Sequence, residues 1–253
     1  MYKSLKILKV LLSAFVSNPL IVLKKIFFKT NSEEFSSVEL LRIVGNNPGL
    51  IIEAGSWNGD DTDALAKIFT ESIICGVEPI PEMYQVLTNR FLDHERIKLY
   101  NNALSDQNNQ TVKFHYGSDL NPSGSLNKQD LHSKVFNSLF DKEIYVTSIT
   151  VDAIMDHFPN LFVNLLWLDI QGSELDVIKS IPSNKLRKIR YIHTEISNLN
   201  LYENQPKLSD FYEYLKSVGF EYLNSRHPLF SGNHIFGNAI LTSGQHKPKI
   251  VHE

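Results

Sequence analysis

Acidic side chains close several apolar runs of this chain, and their spacing suits a ligand rich in hydroxyl groups. Glu53 follows Leu50, Ile51 and Ile52 and leads into a turn that carries Gly55, Ser56 and Gly59. Glu78 ends a second apolar run, 23 residues after Gly55. Asp169 ends a third, and His193 and Glu195 stand together in a fourth. A glycine turn lets the backbone come close to a ligand, and an acid about 20 residues further on can accept from both hydroxyls of a ribose. The plainer alternative is a pair of ordinary turn glycines and a strand-end acid. Asp169 is the first candidate for a general base or for a residue that positions a ligand. His193 is the second, because imidazole titrates near neutral pH. Equally, Asp169 could hydrogen-bond a cofactor or its own loop, and His193 could be a strand histidine. Residues i and i+2 share a face of a regular strand, so Glu195 could orient His193 or the substrate.

The elements that would position these groups alternate between strand and helix. Residues 50–54, 72–78, 96–100 and 164–170 read as strands. Residues 61–70 and 82–91 read as the helices between the first three. Residues 110–116 and 145–150 add β pattern, 171–181 a turn and helix, and 188–195 a further strand. A helix over 208–218 stops at Gly219, and 220–224 with 234–242 read as a closing antiparallel pair. This predicts an α/β fold, a doubly wound, mostly parallel seven-stranded sheet with an antiparallel closing strand, plus N-terminal helices. Its carboxyl edge would gather residues 53–59, 78, 102–106, 169–174 and 193–195, where such sheets bind ligands. The organisation expected is a helical extension over 1–48, one ligand-binding domain over 49–243 and a polar tail over 244–253. A Gly/Ser/Asn-rich insertion at about 117–143 reads as a substrate loop or a surface excursion.

With 253 residues, 42% apolar and 21% charged, the chain can bury one substantial core. A formal charge of -3 gives no broad footprint for nucleic acid, and none is expected as a partner. The single cysteine, Cys75, excludes an intramolecular disulfide. No Cys/His cluster has zinc spacing, and Asp169 with Glu195 gives no coordination count, so no metal is expected. Lysines interrupt the apolar stretch within residues 1–28, which disfavours a transmembrane helix. That stretch suits either peripheral contact with an anionic membrane or packing on the domain, in an otherwise cytoplasmic protein. The oligomeric state is left open.

The ordered stretches EAGSWNGDDT, VEPIPEMYQVLTNRF, NNALSD, SITVDAI, LWLDIQGSELDVIKSI and IHTEI, between about residues 50 and 242, resemble the FkbM-type methyltransferase family. That family belongs to the class I S-adenosylmethionine-dependent methyltransferases. The resemblance implies S-adenosyl-L-methionine as cofactor and a hydroxyl acceptor on a small molecule, sugar or glycan. It implies that Glu53, Gly55, Ser56 and Gly59 line the methionine side, that Glu78 holds the ribose, and that Ala103 and Leu104 face the adenine. Asp169 would stand near the methionine and the substrate, with Glu174 a later acid of the same motif. Glu53 stands where the family more often has Asp, Trp57 where it often has Asn, and Gln171 where Glu is common. The alternatives are an NAD-dependent oxidoreductase, which would more usually carry GxGxxG spacing, and a non-enzymatic membrane-associated binding module. His115, Tyr116, Ser123, Ser125, His227 and His234 are further candidates for the acceptor side, or ordinary loop and strand-edge residues.

Overall fold

A computed structural model describes residues 35–118, 123–133, 139–197, 200–225 and 231–242. The expected helices and membrane-facing stretch within 1–28, the polar tail and His227 lie outside the described residues. The first described helix, α1 (Ser37–Val44), starts at a capping box in which the Ser36 hydroxyl and the Glu39 carboxylate satisfy each other's backbone N–H. Its apolar side, Leu40, Ile43 and Val44, is buried with Phe35 against the sheet.

Strand β1 (Gly49–Ala54) is buried along its whole length, as a central parallel strand must be. Helix α2 (Asp60–Ile68) follows, with three aspartates in its first turn, where acids complement the helix dipole. Then come β2 (Ser72–Val77), α3 (Pro81–Arg90) and β3 (Ile97–Tyr100). Pro81 sits at the first turn of α3, where its missing N–H costs nothing. Arg96 ties these units together by donating to the carbonyls of Ala66, Phe69 and Ser72 at 3.0, 3.1 and 2.8 Å. Three short strands follow, β4 (Ala103–Leu104), β5 (Thr111–Tyr116) and β6 (Lys142–Ile149), and helix α4 (Val151–Asp156). The remainder is β7 (Val163–Leu168), α5 (Glu174–Ser180), α6 (Ser183–Leu186), β8 (Ile189–Ser197), α7 (Leu208–Ser217), β9 (Phe220–Ser225), β10 (Ser231–Asn238) and α8 (Ala239–Thr242).

The main sheet has seven strands in the order β3-β2-β1-β7-β8-β10-β9. All its pairings are parallel except those of β10, which runs against both β8 and β9. The expected architecture is therefore the observed one. Strand alternation splits the core between two faces. Leu50, Ile52, Leu166, Leu168 and Ile192 pack on one, and Ile51, Leu165, Trp167 and Tyr191 on the other.

One expectation needs correction. Residues 234–242 do not form one strand: β10 ends at Asn238 and the chain turns into α8. Asn238 holds that turn, donating from its side chain to the Ile189 carbonyl at 3.1 Å and accepting at its own carbonyl from the Thr242 hydroxyl at 2.6 Å. The β-rich stretches around 110–116 and 145–150 lie outside the main sheet. They form a separate three-stranded sheet in the order β4-β6-β5, which carries the described parts of the insertion (residues 117–118, 123–133 and 139–143).

Candidate functional site

The order of the main sheet reverses between β1 and β7, and the carboxyl ends of those two strands open a crevice of the kind that binds nucleotides. A cleft with about 530 Å³ of empty space, mouth included, opens there. Its walls include Gly55, Glu78, Ala103, Leu104 and Asp169, five of the residues singled out from the sequence. Trp57, Ile80, Phe114 and Leu126 add apolar surface.

Gly55 fits no other side chain. Its φ is +94°, and a Cβ there would lie 2.2 Å from the Asp169 carbonyl oxygen. The β1 turn is thus pressed against the end of β7, where Asp169 N donates to the Ala54 carbonyl at 3.1 Å. Gly59, φ +84°, caps α2, and a Cβ there would meet Leu87 and Phe91 at 2.7 Å. It shapes the turn but is not part of the cleft wall.

Glu78 is 3% exposed and lines the cleft. Its two oxygens accept from the backbone N–H groups of Trp57 and Ile80, each at 2.8 Å. Burial nevertheless pushes its carboxyl up to about 7. Glu53 sits one level down. Its side chain is buried and accepts from the hydroxyls of Ser56 at 2.6 Å and Thr62 at 2.7 Å. Burial outweighs both bonds and pushes it, too, up to about 7. Gly76, its neighbour on β2, leaves room for the Ser56–Glu53 pair: a Cβ there would lie 2.9 Å from the Ser56 hydroxyl and 3.4 Å from the Glu53 carboxylate. Glu53 and Ser56 thus brace the floor beneath the turn and are not part of the cleft wall.

Asp169 is the acid on the β7 side. Its removal from water and the nearby charge of Glu195 raise its carboxyl well above the usual carboxylate range, with Glu174 and Asp61 adding to the effect. The carboxamide of Gln171 donates to it, and the hydroxyl of Tyr202 donates in turn to Gln171. Glu174 stands behind this loop, accepting from the N–H of Ile170 at 3.1 Å and of Gly172 at 3.0 Å. Burial holds Glu174 up at about 7. The insertion reaches the same loop: Ser125 donates to the Gln171 carbonyl at 2.7 Å, and Asn127 to the Ser173 hydroxyl at 3.2 Å.

His193 lies elsewhere. In the register of β7 and β8 it pairs with Trp167, one row below Thr194 and Leu168. Its ring stacks on Trp167 at 3.6 Å and meets the edge of Phe35 at 5.9 Å. Neither ring nitrogen has a hydrogen-bond partner among the described residues, and burial drops its pKa to about 3. It does not line the cleft. Strand alternation turns it to the apolar face that α1 covers, and it stops short of the sheet's edge. Glu195, two residues on, is half-buried and close enough to Asp169 for the two charges to repel. Of the acceptor-side candidates, Ser125 reaches the site, His115 faces Glu143 at 3.3 Å, Tyr116 packs in an apolar cluster and His234 is buried in β10.

Three participants were not singled out from the sequence. Thr62 could have been found, because a hydroxyl one turn into the helix faces back to the strand it follows. Gly76 looks like any glycine in a strand. Tyr202 sits in a segment without periodicity, and no signal marks it. Among the described residues no cluster of His, Cys, Asp and Glu could hold a metal ion. None of the described helices is long and apolar enough to cross a membrane.

An open α/β sheet with its crevice at the β1–β7 reversal, a glycine turn on one side and an acid at the end of β2, is the framework of a nucleotide-type cofactor enzyme. Residues 44–222 match the methyltransferase FkbM domain. The chain belongs to that family of methyltransferases. Membership sets aside the oxidoreductase reading. A 2-O-methyltransferase, NoeI, from Sinorhizobium fredii (strain NBRC 101917 / NGR234) is 27% identical over 175 residues, 66% of this chain and 71% of NoeI. Among solved structures, Aeropyrum pernix fibrillarin with natively bound S-adenosyl-L-methionine is 13% identical, with a TM-score of 0.43 and coverage of 77% of this chain and 68% of that one. The Burkholderia thailandensis 1,6-didemethyltoxoflavin-N1-methyltransferase is 14% identical, with a TM-score of 0.40 over 92% and 89%.

Proposed function

We propose that the protein transfers a methyl group from S-adenosylmethionine to a hydroxyl oxygen on a sugar or sugar-like acceptor. The observation that carries this reading is Asp169, a carboxylate of raised proton affinity in the wall of the cleft. The name of the relative NoeI, a 2-O-methyltransferase, supports oxygen as the acceptor atom.

The residues present fit the cofactor. Glu78 offers a carboxylate to the ribose hydroxyls, and its hold on the N–H groups of Trp57 and Ile80 keeps it aimed. Ala103, Leu104, Ile80 and Phe114 give the flat apolar surface that an adenine needs. Gly55 leaves space beside the methionine side, and Glu53 with Ser56 supports that turn from below. When bound, S-adenosylmethionine supplies a methyl group on a positively charged sulfur.

An alcohol is a weak nucleophile and must lose its proton during or after attack. Asp169 accepts that proton, and its raised affinity makes it a stronger base than an exposed carboxylate. Glu195 helps keep that affinity high through its charge. The insertion adds Gly124 and Leu126 to the cleft wall, beside Phe114. Alignment of donor and acceptor then supplies much of the acceleration. His193, shut in apolar packing, serves the core.

The test compares Asp169→Asn with the natural protein. Calorimetry with S-adenosylhomocysteine should show affinity kept within a few-fold, while labelled-methyl transfer to a panel of glycans and small alcohols falls by about 100-fold or more. Loss of cofactor affinity with transfer otherwise intact would assign Asp169 to the cofactor instead. Peripheral membrane contact through residues 1–28 remains a separate proposal, tested by liposome sedimentation before and after their deletion.

A further inference from the structure

Gln171 is held from two directions. Its backbone adopts φ +56°, a left-handed conformation that a non-glycine residue keeps only when its surroundings enforce it. Ser125 grips its carbonyl from the insertion. Tyr202 grips its side chain from the segment after β8. Tyr202 is itself fixed: it is 2% exposed, its N–H donates to Gln205 at 3.2 Å, and its ring packs on His132 at 5.2 Å.

The direction of these bonds matters. An ionised carboxylate accepts only, so the NH2 end of the Gln171 carboxamide must face Asp169. The carbonyl end is then left for a donor, and the Tyr202 hydroxyl is that donor. We propose that Tyr202 is a positioning residue that fixes the Gln171 carboxamide with its NH2 toward Asp169, and so keeps Asp169 in the ionised form that can accept a proton. This rests on the reading of Asp169 as proton acceptor.

The groups that oppose ionisation come from every side of the site. Glu195 lies on β8, Glu174 at the start of α5 and Asp61 on α2, and each raises Asp169. Among the groups acting on Asp169, the Gln171 hydrogen bond is the one that works the other way. With a glutamate at position 171, a further negative charge would join the cluster. The neutral carboxamide makes a donor out of that position, and the tyrosine makes its orientation unambiguous.

The test reads the proton on Asp169 directly. Infrared difference spectra over a pH series show the carbonyl band of a protonated carboxyl group, and the Asp169 component is the one lost in Asp169→Asn. Tyr202→Phe should raise its half-titration by about one pH unit. Gln171→Met, similar in volume and without the amide, should raise it at least as far. The double variant should go no further than Gln171→Met, because Tyr202 acts through Gln171. Unchanged titration in Tyr202→Phe, or additive shifts in the double variant, would overturn the inference. Should Tyr202→Phe fail to fold, an unshifted Gln171→Met would overturn it as well. No acceptor or turnover is needed, so this titration can fail while methyl transfer succeeds, and the reverse.

Discussion

The carboxylate of Glu78 makes a quantitative prediction about cofactor affinity and pH. In the free protein, burial pushes Glu78 up to about 7. The hydroxyls of a ribose donate hydrogen bonds, and they bind an ionised carboxylate far better than a protonated one. Binding should therefore expel the proton. At pH 8 about nine-tenths of Glu78 is ionised, and at pH 6 about a tenth, so affinity for S-adenosylhomocysteine should fall roughly tenfold between them. The sign is fixed by the linkage: the state that binds ligand carries fewer protons, so acid weakens binding. Glu78→Gln should remove this slope. It should also cost affinity by about 10- to 150-fold, because one acceptor for the Trp57 and Ile80 N–H groups is replaced by a donor. Calorimetry at pH 6, 7 and 8 measures both effects. Repetition at pH 6 in buffers of different ionisation heat counts the proton released. A tenfold slope that survives in Glu78→Gln would refute the reasoning and move the titration to Glu53 or Asp169. A flat profile in the natural protein would refute it more simply.

Other perturbations test other joints of the structure. Gly55→Ala, with its Cβ at 2.2 Å from a carbonyl oxygen and φ +94°, should lower stability to urea by roughly 2–5 kcal/mol. Gly219→Ala, at φ +90° with nothing within 4 Å, should lose only about 1–2 kcal/mol, so equal losses would contradict the clash. His193→Phe should keep cofactor affinity and gain stability, since it removes two buried nitrogens that have no partner among the described residues. Because the folded pKa of His193 is depressed to about 3 from an unfolded value near 6.5, its contribution is present above that value and is lost as pH falls, by about 1.4 kcal/mol per unit. The advantage of His193→Phe in melting experiments should thus widen below pH 6.5, and a constant advantage would argue against a neutral, shielded imidazole. Arg96→Lys should lose about 1–2 kcal/mol in urea titration, because one ammonium cannot span the carbonyls of Ala66, Phe69 and Ser72.

The legible parts of this chain are those governed by period and punctuation. The apolar runs before Glu53, Glu78 and Asp169 became adjacent parallel strands, and Gly55, Glu78, Ala103, Leu104 and Asp169 met in one cleft. Strand period explains the error of depth at His193, because it fixes which face a residue takes but not how far a strand runs past its neighbour. Here β8 continues to Ser197 while β7 stops at Leu168, so His193 falls within the sheet and Glu195 comes level with Asp169. Glu53 looked like a direct cofactor contact; the room over Gly76 and the hydroxyl of Thr62 instead hold it below the turn. Tyr202 was invisible, since its place depends on an insertion without periodicity folding back to meet it.

The wall that residues 123–127 build has a consequence for exchanging parts between relatives. Gly124 and Leu126 face the cleft, while Ser125 and Asn127, alternating with them, fasten the loop of Asp169. One short stretch thus serves two masters, and its alternate residues answer to different demands. Grafting this excursion from another family member to reshape the cleft wall would disturb the loop that carries Asp169 in the same stroke. A replacement at Leu126 would change the cleft wall and leave the bonds of Ser125 and Asn127 in place, whereas a Cβ at Gly124 would meet the Phe114 ring at 2.5 Å.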